Sequence, residues 1–581
     1  MTGYTCTMEF ATTITLKSTG RLSTFVSIAA RLGMVCVFAW VFSGSVSAST
    51  LEVVDSKNSH CKSPVPSKNS VSKPYRDFPE ATILSIRHKS IDVFDTDNPK
   101  ENTWLYRQLN KIHISTRTST ALSQLLFNAG EKLDVELVAE SERILRSREY
   151  LSDARIRVDE VCPGGVALLV VTRDVWTTEP ETKLSREGGE NEHGFGLKEG
   201  NLAGTGTILQ IGYYKDSTRS QIDYGIHSPH IFNSRWVMDV HFAETSDGQE
   251  GLLNVERPFY SLGTPWSVGG TLSDNSRQEF IRYRDEDINE YKHEFDYREL
   301  YAGYNIWPKK KRVQRVSLGL SYDDHRFSES DSTLAGMPED YRLNYPWIEY
   351  RLIEKIFGVY TNLNYMHQTE DVSLGADLRL RLGYAGANFD NNKDLFIYEL
   401  DYSDLLGVGP HHLLTIDVNA NGWYNPSGEG LQQSLWGAKL GYHYLMGSKH
   451  RWYSSVSYNK GHQLLQHNEL TAGGVTGLRG YPLDYQRGDQ SYILTLEKRY
   501  ISDLHLFNLV RIGVVTYLDF GKAWGRDYDY ARQLADVGIG LRFSSSKARV
   551  GTLLHIDLAA PLVNKNEVDS YQLILKGARS L

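Results

Sequence analysis

Trp436-Gly437-Ala438-Lys439-Leu440-Gly441-Tyr442-His443-Tyr444 decides the fold class. In an extended chain Trp436, Ala438, Leu440, Tyr442 and Tyr444 point one way, and Gly437, Lys439, Gly441 and His443 the other. The same period of two runs through residues 316–323, where Val316, Leu318, Leu320 and Tyr322 oppose Ser317, Gly319, Ser321 and Asp323. In residues 378–384, Leu378, Leu380, Leu382 and Tyr384 oppose Arg379, Arg381 and Gly383. In residues 537–543, Val537, Ile539, Leu541 and Phe543 oppose Gly538, Gly540 and Arg542. From residue 177 to 581 the texture is strand, turn, strand, with no convincing helix. A soluble sandwich also alternates, but its polar face is normally the outer one and its strands are shorter. Here the polar faces are rich in Gly and charge, the apolar faces are long, and Tyr and Trp sit near strand ends. That pattern predicts a membrane β-barrel with aromatic girdles and a wet lumen. Closure also removes the sheet edges that so many strands would otherwise expose.

Composition permits this fold and excludes others. The chain has 581 residues, enough for two or three units, with 49 Gly, 35 Tyr and only four Cys. A charged fraction of 23% with 11% aromatics excludes a disordered polyelectrolyte. A formal charge of -8 gives no reason to expect nucleic acid as a partner. Mean hydropathy is -0.40, which excludes a bundle of membrane helices but not a barrel, where alternate residues face lipid.

The N-terminus predicts secretion. Lys17, Arg21 and Arg31 precede an apolar run over residues 32–46, followed by Val46-Ser47-Ala48. This order, basic then apolar then cleavable, is that of a signal peptide, expected over residues 1–48. Residues 49–76 are rich in Ser, Lys, Pro and Val and read as a flexible linker. Cleavage leaves Cys61 and Cys162, which could pair in an oxidising space.

Residues 77–176 read as a small α/β domain. The expected elements are a strand over 83–93, helices over 118–128 and 136–147, and strands over 154–161 and 166–175. Pro163-Gly164-Gly165 supplies the turn between the last two strands.

One loop carries chemistry. Gly473-Gly474-Val475-Thr476-Gly477-Leu478-Arg479-Gly480-Tyr481-Pro482 places a cation in glycine-dense chain that folds back tightly. Arg offers a forked set of donors that Lys cannot reproduce. In the strand that follows, Tyr492, Leu494, Leu496 and Tyr500 share a face, so Glu497 lies opposite with Thr495 and Arg499. In residues 512–521, Ile512, Val514, Thr516, Leu518 and Phe520 share the apolar face, so Asp519 points inward with Gly513, Val515 and Tyr517. Both acids therefore face the lumen.

These stretches, with Gly488-Asp489, Glu497-Lys498-Arg499 and residues 517–524, resemble the outer-membrane protein assembly and translocation superfamily of the bacterial surface antigen type. The strand-helix-helix-strand-strand order of residues 77–176, and Glu140 to Leu151 above all, resembles its polypeptide-transport-associated (POTRA) domain. The resemblance implies one such domain in the periplasm and an outer-membrane barrel of about 16 strands over residues 177–581. The strand-like runs themselves number roughly 18 to 20. Some of these, near residues 249–259 and 289–305, were expected to extend into long hairpins beyond the membrane.

The resemblance makes Gly477, Arg479, Gly480 and Tyr481 a lid loop folded into the lumen, with Glu497 and Asp519 receiving the Arg. It implies outer-membrane lipid, an unfolded polypeptide client and periplasmic chaperones or assembly partners, and no cofactor. The POTRA-like domain would capture client on an open sheet edge. Two features depart from the family pattern: a single POTRA-like domain, and a chain end, Ala578-Arg579-Ser580-Leu581, that is not aromatic.

No enzyme is expected. Asp519-Phe520-Gly521 spells a kinase triad but sits on a barrel strand, and no Gly-x-Ser-x-Gly elbow or His-Glu-x-x-His helix occurs. The competing readings are a passive channel without a protein client and an adhesive surface protein. The latter would use loops near residues 285–293 and 324–341.

Overall fold

The computed structural model describes residues 74–581, except 285, 308–310, 335, 392, 527, 529–530, 548–552 and 579–581. The expected signal peptide, Cys61 and the last three residues lie outside the described set, as does the expected linker up to residue 73. Cys162 is disulfide-bonded. Tyr75, read as linker, is buried in the domain core, and its hydroxyl donates to Glu142 at 3.2 Å.

The N-terminal domain is a three-stranded sheet packed on helices. β1 (Ile83–Ile91), β2 (Leu151–Cys162) and β3 (Gly165–Asp174) lie in the order β1-β3-β2, with β3 parallel to β1 and antiparallel to β2. Three helices connect β1 to β2: α1 (Trp104–Ile112), α2 (Thr118–Leu122) and α3 (Val135–Arg146). The Asp134 carboxylate caps α3 by accepting from the backbone N–H of Glu136 and Leu137. Val138 and Leu145 on one face of α3 meet Ile83, Leu151, Ile156 and Leu168 of the sheet in one core.

Two expectations are corrected here. Helix α1 was not anticipated, because its face is mostly open: Trp104, Leu105 and Ile112 are exposed, while Tyr106 and Leu109 alone join a small cluster with Phe94. Thr103 caps it through its hydroxyl. The helix expected over residues 118–128 stops at Leu122, and the chain turns so that Leu125 and Phe127 enter the core.

The remainder is a closed antiparallel barrel of 20 strands among the described residues, from Thr178–Glu187 to Gln572–Ala578. The expected 16 is therefore corrected. The stretch around residues 249–259 forms the barrel strand Gly248–Arg257, and Glu286–Asn305 is paired with Trp266–Tyr283 almost throughout and with Arg312–Glu329 from Tyr291 onward. Among the described residues each of the 20 barrel strands finds two neighbours, while the hairpin Phe357–Thr361 and Thr369–Ser373 pairs only with itself. An even strand number returns the last strand to the end at which the first began, where the domain sits.

Burial follows the alternation. Leu318 and Leu320 are 60% and 59% exposed on the outer face, whereas the flanking Ser317 and Ser321 are buried. Val537, Ile539 and Leu541 are exposed and Arg542 is buried. The barrel thus wears its apolar side chains outward and its polar ones inward, the reverse of a soluble sandwich.

The domain is fastened to the near rim. The Gly204 carbonyl accepts from Arg117 N–H and Thr120 Oγ1, both at 3.0 Å. Arg235 donates to the Leu125 carbonyl at 2.8 Å, and Lys547 pairs with Glu101 at 2.7 Å. These contacts come from turns on several sides of the mouth, so the domain caps that end.

Candidate functional site

The glycine-dense loop runs between the strands His450–His462 and Gln490–Leu506, and it enters from the rim away from the domain. Its local fold follows from its composition. Gly477 has φ +112°, a region that side chains avoid. At Gly480 a Cβ would stand 2.7 Å from that of Asp536, so only hydrogen fits. Leu478 and Tyr481 are fully buried and pack with Ala472, Tyr485, Ala523 and Leu534. The side chain of Val475 is not described.

Arg479 reaches both expected acids. Its Nε and Nη2 donate to the two oxygens of Asp519 at 2.7 and 2.9 Å, a bidentate fork. Its Nη1 donates to Glu497 Oε1 at 2.9 Å. The guanidinium also lies over the Tyr517 ring, 3.3 Å from its centroid. Asp519 is fully buried and Glu497 nearly so, which places this charge cluster largely out of water. The second oxygen of Glu497 accepts from Arg499 Nε at 2.8 Å.

Tyr481 closes the loop from the other side. Its hydroxyl lies 2.9 Å from both the Ala535 and the Val563 carbonyl. Leu483 N–H donates to the Gly188 carbonyl at 3.3 Å. The loop therefore touches the first hairpin of the barrel as well as its late strands.

Two partners were missed in the sequence. Asp536 stands directly opposite Asp519 in the ladder and accepts from Gly480 N–H at 3.1 Å. Three carboxylates, Glu497, Asp519 and Asp536, thus face two cations, Arg479 and Arg499. The signal was present: Asp536 shares strand parity with Gly538, Gly540 and Arg542, the inward set. Tyr517 shares parity with Asp519 and was read as inward, but its stacking on Arg479 depends on loop position.

The first and last strands close the barrel weakly. Among the described residues their ladder is a single pair, Leu575 with Arg186, whereas the neighbouring pair of strands 553–561 and 572–578 aligns seven. Lys576 supplements it by pairing with Glu187 at 2.8 Å.

The mouth near the domain holds a further obstruction. The hairpin Phe357–Thr361 and Thr369–Ser373 leaves the strand wall and crosses toward the opposite side. There Met366 is buried against Ile501 and Leu553, and Arg451 donates to the Asn362 carbonyl at 3.1 Å. Arg146 of α3 forks onto Asp371 of this hairpin at 2.5 and 3.0 Å. A cavity of about 1560 Å³ lies between α3, the hairpin and the first and last strands, with Arg143, Glu370, Glu181 and Lys576 on its walls.

Of the loops expected near residues 285–293 and 324–341, the first is strand from residue 286 onward, while the second keeps a connection from residue 330 to 340 between two strands. Residues 286–293 and 324–329 belong to Glu286–Asn305 and Arg312–Glu329, because their alternation continues to the rim.

No protein-family model matches the chain, and no curated protein does. Among solved structures it is similar to CdiB from Escherichia coli, at 12% identity and TM-score 0.46, over 86% of this chain and 77% of that one. CdiB from Acinetobacter baumannii gives 12% and 0.45 over 86% and 74%. BamA from Haemophilus ducreyi lacking POTRA domains 1–3 gives 13% and 0.37 over 86% and 84%. Likeness of this depth transfers no function; the barrel rests on this chain's own strand ladder.

Proposed function

We propose that this chain is an outer-membrane factor that moves a polypeptide across or into the outer membrane. The observation that carries this reading is the bridging position of the Arg479 loop. It is locked to strands 490–506 and 510–524 by the buried Arg479 fork and to 534–545 through Gly480 and Tyr481, and it also holds the first hairpin through Gly188, across the seam. A loop so placed couples the state of the lumen to the strength of the seam. Unlocking Arg479 would release both.

The other parts fit this role. The domain is held over the near mouth, in the periplasm on this reading, and β1 is an edge strand whose start is bonded to residues 130–131 and whose remainder is where an extended client segment would add as a strand. The cavity beside α3 then leads the client to the seam between first and last strands. No nucleotide site is invoked; the client's own folding supplies the driving force. Outer-membrane lipid is the solvent for the exposed apolar belt.

A passive channel is the rival, favoured by the polar lumen of a 20-strand barrel. The loop at one mouth and the hairpin at the other argue against it. Planar-bilayer recording of the purified full chain separates the two. The transport reading expects a mostly closed state with brief openings, which become frequent in Arg479→Ala. Steady conductance in the wild type, unchanged in the variant, would favour the channel.

A further inference from the structure

The same lumen loop makes a second convergence, across the barrel from Arg479. Glu279 comes from the strand Trp266–Tyr283, His293 from Glu286–Asn305, and His467 from the short turn Gln466–Asn468 at the start of the loop. One ligand atom from each lies within 4.8 Å of the others. His293 is buried, with its side chain 3% exposed. These are three potential ligands from three separate stretches of chain, brought together inside the lumen.

Their hydrogen bonds define which atoms are offered. His293 Nδ1 and Arg277 Nε both bond to Oε1 of Glu279, at 2.9 and 2.8 Å. The Tyr291 hydroxyl lies 2.8 Å from Nδ1 of His467, so Nε2 is that ring's other donor atom. A third imidazole adjoins: His325 Nδ1 is 2.8 Å from His293 Nε2, and its own Nε2 is 2.9 Å from Asp323. The His293, His325 and His467 rings are packed with Phe327 and Tyr341. Packing alone would be served as well by Phe or Leu at these positions. Two imidazoles around a carboxylate, with a third bonded behind His293, instead form a nitrogen-and-oxygen donor set.

We propose that Glu279, His293 and His467 hold a divalent transition-metal ion, zinc by the character of the set, with a fourth position open and His325 an outer partner on the far ring nitrogen of His293. Tetrahedral bonds of about 2.0–2.1 Å place ligand atoms about 3.4 Å apart, so the three must close by at most about 1.4 Å. Rotation of the Glu279 and His467 side chains supplies that. Oε2 of Glu279 is the ligand oxygen, while Arg277 stays on Oε1 as an outer partner, and His325, itself held by Asp323, orients His293 from its Nε2. The consequence is mechanical. Arg479 fastens one flank of the loop to late strands, and the ion fastens its beginning to the wall at strands 266–283 and 286–305. Zinc becomes a second latch on the same loop.

The test uses the purified full chain in detergent, stripped with a chelator and dialysed against zinc chloride. Bound zinc is counted by elemental analysis for wild type, His467→Ala and His293→Gln. Cobalt chloride is the spectroscopic probe of the coordination sphere. Heat-modifiable gel mobility confirms that each barrel is folded, and His467→Ala, in the loop, leaves the strand ladder untouched. The expected result is one zinc per chain, a visible cobalt spectrum of nitrogen and oxygen ligation, and at least about tenfold weaker binding in either variant. Absence of stoichiometric zinc in the folded wild type, or equal binding in His467→Ala, would overturn the site and leave a hydrogen-bonded cluster.

Discussion

The smallest unit of the account is the Arg479 fork. Removing one partner of a buried ion pair typically costs about 3–5 kcal/mol, because the remaining charges stay dry and unpaired. Arg479→Ala leaves Asp519 and Glu497 without their shared cation, so the loop should undock while the strand ladder persists. Protease cleavage within residues 463–489, in folded detergent-purified protein, reads this directly. Arg479→Lys keeps the charge but not the fork, and we expect cleavage between wild type and alanine. A lysine variant as resistant as wild type would show that charge alone holds the loop. Gly480→Ala approaches Asp536 at 2.7 Å between Cβ atoms. Overpacking of this kind costs about 1–3 kcal/mol, and it should give the same cleavage pattern with the fork residues unaltered. Resistance in that variant would mean that the loop can shift without losing its lock.

At the scale of elements, the seam and the hairpin are the parts expected to move. Among the described residues the seam's backbone ladder holds only Leu575 with Arg186, supplemented by the Lys576–Glu187 ion pair. Cysteines introduced as Arg186→Cys and Leu575→Cys should cross-link under oxidation and block client handling, with recovery on reduction. Full function in the cross-linked form would remove the seam from the mechanism. The hairpin is tied to α3 by Arg146 and Asp371. Arg146→Ala loses charge-assisted bonds worth about 1.5–3 kcal/mol, so single-channel openings should lengthen. Unchanged openings would mean that the hairpin is held by Met366 and Arg451 alone.

Elements also show where sequence reasoning reached. The inward sets around Glu497 and Asp519 were legible because strand parity is strict: one slip would have buried Leu496 and Leu518 in the lumen. Helix α1 was not legible, since Trp104, Leu105 and Ile112 leave no apolar stripe facing the core. Asp536 was legible by parity, but its contact with Gly480 depends on where the loop lands. The hairpin over 357–373 could not be foreseen as a plug. Its sequence carries ordinary strand signals, and its position comes from long-range contacts with Ile501 and Leu553.

For the whole molecule, strand number is set by closure rather than by any one strand. Twenty runs were nearly all visible as runs, and the expectation of 16 came from resemblance, not from alternation. A wider barrel leaves room for an inserted loop and a crossing hairpin together. The domain, the cavity, the seam and the loop lie along one path from the near mouth to the far rim. The central claim is that this path serves a polypeptide client and is controlled by Arg479. The most direct test is comparative proteomics of the outer membrane and the culture medium in cells lacking the protein, complemented with wild type or with Arg479→Ala of confirmed fold. The account predicts that a set of outer-membrane proteins, or one secreted protein, is lost without the chain, is restored by wild type and is not restored by Arg479→Ala. Unchanged protein content in both fractions, with a shift only in small-solute permeability, would contradict it.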